Sequence, residues 1–128
     1  MPVTGTRKRA LLVEDDRDNS DLLTLQLELL GYEVSVASNG ATAVEMATSQ
    51  PPDIIIMDMV MPKMSGFEAS ALIRSDPKTQ DTPILAMTAL GLDEDRDRCI
   101  ASGCDDYIAK PFTRSQFNEH IRKLLRPA

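Results

Sequence analysis

The chain has 128 residues, 14 of them basic and 20 acidic, for a net charge of −6, which leaves room for one domain and one core but not for a separate output domain. That acidic balance argues against wholesale binding to nucleic acid or to an anionic membrane. No apolar run reaches the ~18 residues of a membrane span and no charged start leads into an apolar leader, so a cytoplasmic protein is expected.

Residues 1–8, with Gly5, Arg7 and Lys8 and no apolar period, read as a short solvated lead, and residues 9–126 as the domain. Ala10 to Val13 is an apolar strand that ends in acid, Glu14-Asp15-Asp16. From about Arg17, leucines at 22, 25 and 29 and at 23, 27 and 30 make two adjoining helical stripes, stopped by Gly31. Glu33 to Ala37 is a second strand, Asn39-Gly40 a turn, and Ala41 to Ser49 an alanine-rich helix closed by Pro51-Pro52.

The third strand, Asp53 to Asp58, contains four apolar residues in a row, Ile54 to Met57, so both of its faces look buried, as in the middle of a parallel sheet. An ionised Asp costs several kcal/mol to bury without a partner, so Asp58 belongs at the strand's end, facing a cleft. Pro62 stops the strand and Gly66 supplies permissive backbone. Ser65 with Glu68 is a capping box for a helix through Ile73, and residues 76–83 are a polar loop.

Ile84 to Met87 is the fourth strand, ending at Thr88. Asp93, Glu94 and Asp95 load the first turn of the next helix with the charge its dipole favours, and Gly103 caps its other end. Cys99 and Cys104, with one histidine in the chain, are too few for a tetrahedral zinc site and read as free thiols. Tyr107 to Ala109 is a short fifth strand ending at Lys110. Thr113 with Gln116 caps a last helix whose stripe is Phe117, Ile121, Leu124 and Leu125. His120, on that helix, reads as a surface residue without a role.

Five strand–helix units of about 20 to 25 residues predict a parallel sheet covered on both faces. The expected architecture is flavodoxin-like α/β with strand order 2-1-3-4-5; the alternation alone does not fix that order. Four of the five strands end in a functional side chain, and a parallel sheet puts those ends on one edge. Carboxylates gathered there repel by about 1 kcal/mol per pair at full water screening, so the cluster needs a cation. Two or three acids with open positions suit Mg²⁺. A metal, the Lys110 ammonium and the Thr88 hydroxyl around one carboxylate are what phosphoryl transfer to Asp58 requires.

Here the chain resembles a response-regulator receiver domain of two-component signalling, over roughly residues 9 to 126. The resemblance rests on Leu-Leu-Val-Glu-Asp-Asp at 11 to 16, Asp-Met-Val-Met-Pro-Lys-Met-Ser-Gly at 58 to 66, Met-Thr-Ala at 87 to 89, and Asp-Asp-Tyr-Ile-Ala-Lys-Pro-Phe at 105 to 112. It implies that Asp58 accepts a phosphoryl group from a phosphohistidine on a sensor histidine kinase or phosphotransfer protein. It further implies that Asp15, Asp58 and the Val60 carbonyl hold Mg²⁺, with Glu14 acting through water. Thr88, Lys110 and the Ala89 N–H would grip the phosphoryl oxygens. Thr88 and Tyr107 would switch the face made by helix 4, strand 5 and helix 5 toward a downstream protein, and Lys110-Pro111 would be cis. The chain would act as a monomer or a weak phosphorylation-dependent dimer, with no separate turnover reaction.

Glu14 stands where the shorter Asp is commoner in that family, and Asp16 sits one step beyond the usual acid pair, facing solvent or the helix start. Asp15 is a candidate N-cap as well as a ligand. Val60 and Leu90 place apolar side chains where water would approach, so slow loss of phosphate is expected; a half-life of seconds would refute this. The acid run from Asp16 to Asp21 fails as a calcium loop, with Asp21 at the sixth position and Leu27 at the twelfth. No Gly-rich nucleotide loop is present. Two other functions stay open: an aspartyl-phosphate phosphohydrolase, which would want an acid where Val60 stands, and a docking module without phosphorylation. Met1 and the short ends are read as those of a complete single-domain regulator, with Arg126-Pro127-Ala128 able to begin a linker.

Overall fold

Each apolar run becomes a strand and each amphipathic run the helix after it. The computed structural model describes residues 8–61, 64–88 and 93–124, apart from the side chains of 93–96. In chain order the elements are β1 (Arg9–Val13), α1 (Arg17–Leu29), β2 (Glu33–Ala37), α2 (Gly40–Ser49) and β3 (Ile54–Asp58). They continue as α3 (Gly66–Ser75), β4 (Ile84–Thr88), α4 (Asp93–Ala101), β5 (Asp106–Ala109) and α5 (Arg114–Leu124). The strands form one sheet in the order β2-β1-β3-β4-β5, with every pairing parallel. This is the flavodoxin-like arrangement expected from the sequence.

The pleat of β3 explains its unbroken apolar run. Ile54 and Ile56 join Leu12, Leu85, Leu27 and Phe117 on the face covered by α1 and α5. Ile55 and Met57 join Val13, Ala86, Ile73 and Cys99 on the opposite face, under α2, α3 and α4. Each large aliphatic side chain so buried contributes about 1.5–3 kcal/mol. Residues beyond the strand tips are thereby held on a rigid platform.

Several local expectations change. Of the two leucine stripes on α1, Leu23 and Leu27 are buried, whereas Leu22, Leu25 and Leu29 face solvent, because a surface helix has one core to face. Asn39 is not a free turn residue; its side chain accepts the Thr42 N–H at 2.9 Å and starts α2 at Gly40. Asp53 lies outside β3, accepting the Arg9 N–H at 2.7 Å. The capping boxes at Ser65/Glu68 and Thr113/Gln116 both form, and Gly31 and Gly103 follow α1 and α4 at φ of 98° and 106°.

The 76–83 loop is less polar in its placing than in its composition, since Thr79 and Thr82 are buried. Arg74, at the end of α3, donates to the carbonyls of Thr79, Gln80, Thr82 and Gly103 and pairs with Asp105. Asp105 in turn accepts the Ile84 N–H at 2.8 Å. One guanidinium thus joins the loop into β4 to the turn into β5. Cys99 and Cys104 are buried and not joined in a disulfide, as expected, and burial pushes the Cys104 thiol above its ordinary range. No helix among the described residues is long and apolar enough to cross a membrane.

Candidate functional site

Because all strands run the same way, Glu14 after β1, Asp58 ending β3, Thr88 ending β4 and Lys110 after β5 share one sheet edge. Hydrogen bonds carry the ladder one step past the strands: Glu14 N–H to the Ala37 carbonyl at 3.0 Å, Met59 to Met87 at 3.0 Å, and Lys110 to Thr88 at 2.7 Å. These bonds fix the backbone under each functional side chain. Residues far apart in the chain are held to a common geometry.

Asp58 is 7% exposed and its two oxygens are held differently. Oδ1 accepts the Val60 N–H at 3.0 Å, and Oδ2 lies 3.1 Å from Lys110 Nζ. Glu14, 2% exposed, places Oε1 3.2 Å from the same ammonium and accepts the Asp16 N–H on Oε2 at 3.2 Å. Burial pushes the Glu14 carboxyl above its ordinary range, with Asp58 adding to the push, while the Asp16 N–H and Lys110 pull the other way. Burial also opposes the Lys110 charge, but Asp58 and Glu14 outweigh it and hold the ammonium's pKa above that of an ordinary lysine.

Glu14, Asp15 and Asp58 each offer a carboxylate oxygen, all within 4.8 Å of one another. Among the described residues this is the one cluster of three or more potential metal ligands. Three hard oxygen donors, with Asp15 exposed and able to leave its side open to water, fit Mg²⁺. Thr88 is 1% exposed, at the end of β4. Tyr107 is half-buried against the core on the α3 and α4 side. Lys110-Pro111 is cis. Val60 is 61% exposed, above the carboxylate its N–H touches. Ala89 and Leu90 lie outside the described residues, as do Pro62, Leu125 and the 126–128 segment.

Two placements correct the sequence reading. Asp16, not Asp15, caps α1, accepting the Asn19 N–H at 3.2 Å. His120 is not a bare surface residue: its Nδ1 lies 2.6 Å from Asp106 Oδ2 at the start of β5. Gly66 serves through close approach, for a Cβ there would lie 2.5 Å from the Asp58 carbonyl oxygen and 2.7 Å from Met59 Cα. The Ser65-Gly66 start of α3 therefore packs directly on the acid's own backbone.

Comparison with known proteins agrees with this geometry. Residues 10–122 match the family model of the response regulator receiver domain. The DNA-binding dual master transcriptional regulator RpaA of Synechocystis sp. is 39% identical over 118 residues, which are 92% of this chain and 49% of that protein. The polar-differentiation response regulator DivK of Brucella anthropi is 34% identical, covering 94% of this chain and 98% of its own length. Thus the chain spans about half the length of the transcriptional regulators it matches and nearly all of DivK. The receiver domain of sensor histidine kinase PA1611 from Pseudomonas aeruginosa PAO1, solved with a magnesium ion coordinated in its active-site cleft, superposes with a TM-score of 0.86 at 35% identity. That match covers 93% of this chain and 98% of the other. The chemotaxis protein CheY4 of Vibrio cholerae gives a TM-score of 0.89 at 29% identity, covering 94% and 100%.

Proposed function

This chain belongs to the response regulator receiver domain family, and from that premise we propose that it is a phosphorylation-dependent switch of two-component signalling, with Asp58 as phosphoryl acceptor. The observation that carries the reading is the Asp58 carboxylate, at the tip of the central strand, 3.1 Å from the Lys110 ammonium and within 4.8 Å of two further carboxylates. Such a group is oriented by the Val60 N–H and Lys110 and has further acids beside it to share a cation, which supports its reading as an acceptor.

In this reading an Asp58 oxygen forms a bond to phosphorus while the phosphorus–nitrogen bond of a donor phosphohistidine breaks and its electron pair returns to the imidazole. Asp15, Asp58 and the Val60 carbonyl, with Glu14 through water, would hold Mg²⁺, which supplies positive charge for the phosphoryl oxygens. Lys110 would turn from the carboxylates to the incoming phosphoryl group, joined by the Thr88 hydroxyl and the Ala89 N–H. An open cleft of about 460 Å³ beside Glu14 and Lys110, bounded by Leu22 and Phe112, gives a donor room to approach.

Tyr107 on β5 and the α4-β5-α5 face would pass the change to a downstream protein, the chain acting in the cytoplasm as a monomer or weak phosphorylation-dependent dimer. It promotes its own modification and demodification and runs no separate turnover. Intact-mass spectrometry after incubation with acetyl phosphate and Mg²⁺ tests this. One phosphoryl group is gained, and Asp58→Asn abolishes the gain. Consumption of many equivalents of acetyl phosphate with no phosphorylated chain accumulating would indicate a hydrolase instead, and an unmodified wild-type chain without consumption a docking module.

A further inference from the structure

The acid Asp16 has no part in the ligand set, yet three of its groups are engaged. Its carboxylate accepts the Asn19 N–H at 3.2 Å, its carbonyl accepts the Ser20 N–H at 2.9 Å, and its own N–H donates to Glu14 Oε2 at 3.2 Å. The first two bonds begin α1. The third reaches back to a side chain of the acidic cluster.

That third bond answers a problem this sequence sets itself. A glutamate has one more rotatable bond than an aspartate and can swing a carboxylate away from a metal. In this chain both oxygens of Glu14 are tethered, Oε1 by Lys110 and Oε2 by the Asp16 N–H. The direction of that N–H depends on the extended backbone of Asp16, φ −84° and ψ 117°, which is the conformation of a helix N-cap. Capping and tethering are therefore one act: the side chain that starts α1 also aims the N–H that orients Glu14.

We propose that Asp16 is a positioning residue for metal binding, acting through its N-cap geometry on Glu14 and not through its charge. This rests on the assignment of Mg²⁺ to Glu14, Asp15 and Asp58. The variants Asp16→Ala, which cannot cap, and Asp16→Asn, which caps without charge, separate the two roles.

The measurement is Mg²⁺ affinity by calorimetry on the full chain, alongside amide hydrogen exchange of the first turn of α1 without metal. Asp16→Ala should bind Mg²⁺ about fivefold more weakly, the affinity equivalent of a lost cap, and exchange faster at Asn19. Asp16→Asn should stay within about twofold of the wild type on both readouts. Equal weakening by Ala and Asn would make Asp16 a distant charge and overturn the proposal, as would an unchanged affinity in Asp16→Ala whose α1 exchange has risen. A wild-type chain that takes up no Mg²⁺ overturns the metal assignment itself, and this proposal with it.

Discussion

Replacing Lys110 by methionine keeps most of the side chain's bulk and removes its charge, and the structure says what should follow. Three carboxylate oxygens within 4.8 Å of one another repel by about 0.9 kcal/mol per pair even at full water screening, about 2.6 kcal/mol in all. Lys110 Nζ lies 3.2 Å from Glu14 and 3.1 Å from Asp58, and the two contacts offset this by about 1.3 kcal/mol each on the same scale. Attraction and repulsion balance, so the ammonium by itself offsets the mutual repulsion of the three carboxylates. Lys110→Met should then lose about 2.6 kcal/mol in chelator, a fall in Tm of about 10 °C for a domain this size. Saturating Mg²⁺ supplies the absent charge and should cut that loss by more than half. The assay is thermal unfolding of both proteins with chelator and with Mg²⁺. An equal loss in the two conditions would refute the reasoning, because the lysine would then act by packing alone.

Gly66→Ala places a methyl group against the backbone of Asp58 and Met59, which cannot yield as a side-chain tip can; a loss of about 3 kcal/mol is expected in urea unfolding, together with weaker Mg²⁺ binding. The raised Glu14 pKa means the fold holds this proton more tightly than the unfolded chain, so the group favours the fold below its ordinary value of 4.5 and that benefit is lost as pH rises through its folded value. Glu14→Gln should therefore be more stable than wild type at neutral pH in chelator, with the gap closing on acidification; a less stable variant at neutral pH would sink the argument. Arg74→Ala strips donors from four carbonyls and from Asp105 and should cost about 2–4 kcal/mol. Arg74→Lys should rescue little, because one ammonium cannot span that fork, and Asp58 phosphorylation should persist in both variants.

The main chain of strands and helices was readable because burial leaves a periodic trace: Ile54 to Met57 announces a central strand, and an acid directly after it announces an edge with chemistry. Asp58, Thr88 and Lys110 could be picked out as the polar residues that interrupt such runs. The strand order was expected from the flavodoxin-like architecture and not from the alternation of elements, which is compatible with several orders. What escaped were single long-range pairings. Nothing about Arg74 or Asp105 in isolation says that they meet, and the same holds for His120 and Asp106, because a hydrogen bond across a fold has no period. The choice between Asp15 and Asp16 as cap turned on one residue of register, finer than any pattern resolves. The solvent-facing stripe Leu22, Leu25 and Leu29 was invisible for the opposite reason: its spacing is as regular as that of the buried one.

Lys110 touches Glu14 across a separation of 96 residues. A polypeptide emerging from the ribosome therefore carries its acids long before the ammonium that balances them. Until the final strand has been synthesised and docked beside β4, Glu14 and Asp58 lack the ammonium they share. Assembly of the charged cluster is in this way tied to completion of the sheet.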